Sequence, residues 1–224
     1  MYWGSYMIYI LPALLLSLFA QSKVKSAYAK YSRVRASSNL TGADIAKRIL
    51  MNASINDVNI GRVSGQLTDH YDPRKKTINL SNDIYNGNTI AAYGIAAHEA
   101  GHVLQHYQGY GPIKLRNAIV PVVQISSKAA IPMFFLGMII NAGGFMTLGI
   151  VLFSGVVIFH LVTLPVEFNA SKRAISVLQN DGYLSRTEIS GVKEVLTAAA
   201  LTYVASAVMA AMQLLRLLAL SRRR

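Results

Sequence analysis

Residues 98 to 102 read His98-Glu99-Ala100-Gly101-His102. On an α-helix, side chains four apart stand one turn above each other, so both imidazoles can reach one metal ion. The glutamate between them then points along the same side, toward a water on that ion. Two histidines and a carboxylate in this spacing suit zinc and a general base. The chain has no cysteine, so disulfide frameworks, zinc ribbons, thiol nucleophiles and iron–sulfur sites are excluded. Any metal must be held by histidine and carboxylate.

A zinc that activates water needs a third protein ligand and one open position. His106 continues the ladder His98, His102, His106, but three successive helical turns spread over about 12 Å, too far to converge on one ion. The longer motif in which a third histidine follows the first by ten is absent, because position 108 is Gln108. The better candidate is Glu167, in Pro165-Val166-Glu167-Phe168-Asn169-Ala170-Ser171; the later glutamates are Glu188 and Glu194. Whether Glu167 can join depends on the elements that carry it.

Those elements are dominated by lipid. Of 224 residues, 53% are hydrophobic and 14% charged, with a mean hydropathy of +0.35. Soluble domains carry about a quarter charged residues, so much of the chain belongs in a bilayer. Residues 1 to 22 hold no ionisable side chain, and Tyr6 to Ala20 is apolar. Positive charge follows this run at Lys23, Lys25, Lys30, Arg33 and Arg35 instead of preceding it, which predicts a retained anchor with Tyr2, Trp3, Tyr6 and Tyr9 at its outer end, not a cleaved signal peptide.

From Ala129 to Val166 there are 38 residues without a charge. One span needs about 20, so this block, reaching back to about Asn117, forms a hairpin reversed at Asn141-Ala142-Gly143-Gly144. A fourth span is expected at Val195 to Leu215, where Ala198, Thr202, Ser206 and Ala210 would pack as a small-residue stripe. The organisation is therefore an anchor (1–22), a polar domain (23–116), a hairpin (117–165), a polar segment (166–194) and a last helix with a basic tail (195–224).

Ligands of one metal must lie on one membrane face, so an even number of crossings must separate His102 from Glu167. The hairpin supplies two. Of 22 basic residues, 13 fall within 23–116 and 4 within 167–194, which places both stretches in the cytoplasm. The formal charge of +12 otherwise matches anionic lipid heads, and no segment reads as a nucleic-acid module. His160 in the hairpin is expected to pack by hydrogen-bonding a neighbouring helix, and Lys128 to snorkel.

Within 23–116, Thr41 can cap a helix through Met51. Strands are expected at Val58 to Val63, Gly65 to Tyr71 and, after the Asp72-Pro73-Arg74 turn, Lys76 to Leu80. The motif helix should run from Asn88 to Tyr107.

The chain resembles the YugP-type neutral zinc metallopeptidases, small bacterial membrane proteins distantly similar to the HtpX-like membrane proteases. The resemblance rests on Leu67-Thr68-Asp69-His70-Tyr71-Asp72-Pro73, Ala96-Ala97-His98-Glu99-Ala100-Gly101-His102 and Pro165 to Ser171, with the pattern of membrane segments. It implies an α+β zincin-like cytoplasmic domain joined to a multi-span α-helical membrane region. It also implies an endopeptidase of the gluzincin kind in the cell membrane. His98, His102 and Glu167 would bind one Zn²⁺ per chain, and Glu99 would be the base acting on a zinc-activated water. In the HtpX-like pattern an aspartate four residues after the ligand glutamate partners a ligand histidine; this chain carries Ser171 there. Tyr183, Arg186, His70 and Tyr71 are candidates to steady an oxyanion. The expected partners are membrane lipid and a peptide or protein substrate. The rival reading is a non-catalytic membrane scaffold clipped by zinc.

Overall fold

The computed structural model describes residues 3–222. The side chains of the expected anchors Tyr2, Trp3 and Tyr6, and the tail residues Arg223 and Arg224, lie outside what it describes. Among the described residues, seven helices and three strands follow in the order α1 (Trp3–Tyr31), α2 (Gly42–Asn52), β1 (Asn59–Val63), β2 (His70–Asp72), β3 (Thr77–Ser81), α3 (Asn82–Asn86), α4 (Ile90–Tyr107), α5 (Gly111–Ile139), α6 (Gly143–Asn180) and α7 (Arg186–Ser221). They group into two units, one of residues 1–21, 111–165 and 201–224, the other of 22–110 and 166–200.

The first unit is apolar on its outside. Ile125, Ile139, Val122 and Val151 are more than half exposed, and its interior is small, built on Ala130, Phe134, Met146, Phe153 and Leu217. That inversion of the usual pattern suits a lipid surround. Four helices, Ile8–Tyr31, Gly111–Ile139, Gly143–Asn180 and Arg186–Ser221, are long and apolar enough to cross a membrane. The hairpin reversal falls where the Asn-Ala-Gly-Gly run predicts it, with Asn141 in the left-handed region at φ 55°.

Two expectations fail in the membrane helices. His160 makes no hydrogen bond among the described residues; it lines a groove of about 310 Å³ with Ser17, Ser206 and Gln213. The predicted stripe on the last helix is only half right: Ala198 and Ala210 are buried, Ser206 is exposed, and Ala205 and Ala207 are buried instead.

The second unit holds the α/β core. Thr41 caps α2 in a capping box: the Asp44 N–H donates to Thr41 Oγ1 at 3.1 Å and the Thr41 N–H to Asp44 Oδ2 at 2.9 Å. The sheet order is β1-β3-β2, with β1 parallel and β2 antiparallel to β3. Central β3 buries Ile78 and Leu80 on one face. The strand expected over Gly65 to Tyr71 shrinks to His70–Asp72 because Gly65 (φ 102°) and Leu67 (φ 56°) adopt left-handed backbone, which no strand accommodates. Helix α4 runs through the middle of this unit with Ala91, Ala92, Tyr93, Ala96, Ala97, Ala100 and Val103 at 0 to 1% exposure.

Candidate metal centre

Helix α4 begins where Thr89 Oγ1 accepts the Ala92 N–H and runs unbroken through the histidine motif to Tyr107. Its sequence there is small on purpose of packing: a Cβ added at Gly101 would stand 2.7 Å from the backbone oxygen of Ala170. The motif's glycine therefore lets α4 and α6 meet backbone to backbone. Glu167 lies three residues before Ala170, on the same face of α6. This contact brings it to the histidines across 65 residues of chain.

His98 Nε2 and Glu167 Oε2 are 3.2 Å apart, and His102 Nε2 and Glu167 Oε2 are 3.5 Å apart. One donor atom from each of the three lies within 4.8 Å of the others. The imidazole rings meet edge to face at 4.8 Å between centroids. Glu167 is 2% exposed and His102 8%. An uncompensated cluster of this kind is costly to bury, and two imidazole nitrogens with one carboxylate oxygen form a donor set that suits zinc. Burial disfavours a charged His102. The hydrogen bond to Glu167 and the carboxylate charges of Glu99 and Glu167 outweigh that, and raise its pKa above the usual imidazole value.

Glu99 is 7% exposed, and no described residue hydrogen-bonds its carboxylate. The other face of each histidine is occupied. Ser171 Oγ lies 3.1 Å from His98 Nδ1, so the serine that stands in the aspartate position still meets a motif histidine. His102 Nδ1 lies 3.0 Å from Gln105 Oε1. The Gln105 amide nitrogen donates to the Val166 carbonyl at 2.7 Å and to Asn169 Oδ1 at 3.0 Å.

His106 is placed elsewhere, with its Nδ1 3.2 Å from the Tyr71 hydroxyl. Burial, followed by the charges of Tyr107 and Asp57, pushes that hydroxyl's pKa up to about 12, so Tyr71 stays protonated. The other oxyanion candidates are engaged or peripheral. Tyr183 accepts from Asn52 at 3.2 Å, His70 pairs with the Thr68 carbonyl at 2.8 Å, and Arg186 is exposed at the start of α7.

Sequence reasoning passed over Gln105 and Asn169. Gln105 carried one signal: it is a polar residue about one turn beyond His102, after the apolar Val103 and Leu104. Asn169 carried none, since its role depends on which turn of α6 faces α4.

No solved structure matches the chain. A relative in Bacillus subtilis (strain 168), named "Putative membrane protease YugP", is 49% identical over 204 residues, covering 91% of each chain. Over residues 6–222 the sequence also matches the model of a family described as "Putative neutral zinc metallopeptidase". With the match spanning nearly the whole length, and a His-His-Glu donor set in its core, this chain belongs to that neutral zinc metallopeptidase family.

Proposed function

We propose that the protein is an integral membrane zinc metalloendopeptidase of the gluzincin kind. Its zincin-like unit would open on the cytoplasmic face of the cell membrane, with one zinc held by His98, His102 and Glu167. The observation that carries this reading is Glu99, a buried carboxylate that no described residue hydrogen-bonds, set between two histidines whose Nε2 atoms meet Glu167. A structural zinc closes its shell with four protein ligands; the three gathered here among the described residues would leave a bound ion a position for water.

Zinc bound there supplies Lewis acidity and brings the pKa of its water toward neutrality. Glu99 takes the proton of the attacking water and returns it to the leaving amine as the peptide bond breaks. His98 and His102 would hold the ion through imidazole nitrogens, and Glu167 would contribute negative charge that offsets the cation. The small-residue contact between α4 and α6 keeps these groups dry and fixed.

Metal analysis of the detergent-purified protein beside Glu99→Gln tests the reading. Near one equivalent of zinc is expected in both, with peptide cleavage lost by about two to four orders of magnitude in the variant, the usual worth of a general base. Unchanged cleavage in Glu99→Gln would overturn the assignment of the base. Zinc bound without cleavage in the unaltered protein would favour a structural clip.

A further inference from the structure

Gln105 is 0% exposed and spends its whole amide on three partners. Which end faces which is settled by chemistry. The Val166 oxygen is a backbone carbonyl and can only accept, so the Gln105 atom 2.7 Å away is the NH₂ nitrogen. Asn169 Oδ1 agrees, because it also accepts the Arg173 Nε–H at 2.6 Å, and Arg173 has no acceptor to offer in exchange. The far end of the Gln105 amide is therefore the oxygen, and it lies 3.0 Å from His102 Nδ1. A carbonyl oxygen cannot donate, so the proton of that contact sits on Nδ1. A neutral imidazole with Nδ1–H has its lone pair on Nε2, the atom that faces Glu167 and completes the donor set.

We propose that Gln105 is the positioning residue that fixes the Nδ1–H tautomer of His102 and thereby aims a bare Nε2 at the metal. This rests on the zinc reading above. Arg173 acts one step further back: its guanidinium, also bonded to Gln108 Oε1, orients Asn169 and through it the Gln105 amide. The chain Arg173, Asn169, Gln105, His102 runs from α6 to α4, so the groups that hold the helices together also set the chemistry of a ligand. Ser171 is no equivalent for His98, because a hydroxyl donates or accepts and so leaves the tautomer open.

Two substitutions separate aiming the imidazole from merely bridging the helices. Gln105→Met keeps the length and removes the acceptor and both donors. Gln105→Glu keeps an acceptor for His102 and loses both donors. Nitrogen-15 imidazole spectra in alkaline buffer, where His102 is neutral, report the tautomer directly; they are taken on metal-free protein carrying Glu167→Ala, so that no carboxylate at 3.5 Å competes for Nε2. In that background the protein with Gln105 intact and Gln105→Glu should show His102 as Nδ1–H, and Gln105→Met should shift toward Nε2–H. Zinc affinity, measured by competition with a chelator, should fall about 10- to 100-fold in Gln105→Met and clearly less in Gln105→Glu. Equal losses in the two variants, or an Nδ1–H tautomer retained in Gln105→Met, would overturn the proposal. If Gln105→Met does not fold, an Nε2–H tautomer in Gln105→Glu overturns it alone. Failure of the unaltered protein to bind zinc would instead refute the metal reading, while the tautomer measurement would still decide what Gln105 does.

Discussion

The third ligand is where a single residue decides most. His106 has the sequence proximity, but its Nδ1 is engaged by Tyr71, whereas Glu167 meets both motif histidines from another helix. Glu167→Ala should strip zinc and abolish cleavage together, because two histidines alone hold the ion weakly. His106→Ala should keep most of both. Metal content and peptide cleavage of the two variants check this, and zinc lost from His106→Ala but kept by Glu167→Ala would reverse the assignment.

Between elements, the close approach of α4 and α6 sets the site. Gly101→Ala places a methyl 2.7 Å from the Ala170 oxygen, and backbone cannot yield cheaply. It should cost about 1–3 kcal/mol as overpacking and lower zinc affinity by displacing Glu167 from the histidines. Gly94→Ala makes the useful contrast, since its new methyl meets first a side chain, that of Val192, with Cγ1 at 3.2 Å. Thermal melts with and without zinc distinguish them: only Gly101→Ala should lose the stabilisation that zinc gives.

The capping box of α2 makes a second element-level test. Thr41→Ala should destabilise by about 1 kcal/mol near neutral pH. Hydrogen bonds from the Thr41 side chain and backbone hold the Asp44 pKa below its usual value. Its contribution is therefore present above the unfolded-state pKa and is lost as pH falls through the folded one. The difference between denaturant melts of the two proteins should narrow in acid, leaving the part due to the Asp44 N–H bond to Thr41 Oγ1.

For the whole molecule the open matter is sidedness. The chain has no cysteine, so single substitutions report without background. Lys75→Cys and Lys193→Cys lie at exposed positions of the polar unit, and Gly143→Cys at the hairpin reversal has open space around its new side chain. The basic residues of 23–116 and 167–194 lead us to expect the first two shielded from membrane-impermeant thiol reagents in intact cells and the third labelled. The reverse pattern would invert the topology. Ser221→Cys in the same assay shows whether the last helix crosses.

The motif, its helix, the Thr41 cap, the hairpin reversal and the four apolar helices could all be read from the chain. Each depends on local spacing, on residue type, or on the absence of charge over a membrane's thickness. The favoured third ligand followed from the motif, from the shortage of later glutamates and from a rule about membrane crossings. Beyond that, local signals ended. Left-handed backbone at Gly65 and Leu67 cut short a strand whose composition looked regular, and packing around α7 buried Ala205 and Ala207 in place of the expected Ser206. What only the tertiary structure decided was how α4 meets α6: Gly101 against Ala170, Gln105 against Val166 and Asn169, Ser171 against His98. These pairings join residues 61 to 73 positions apart, and their geometry depends on the rotation of two packed helices, which no residue's own propensity specifies.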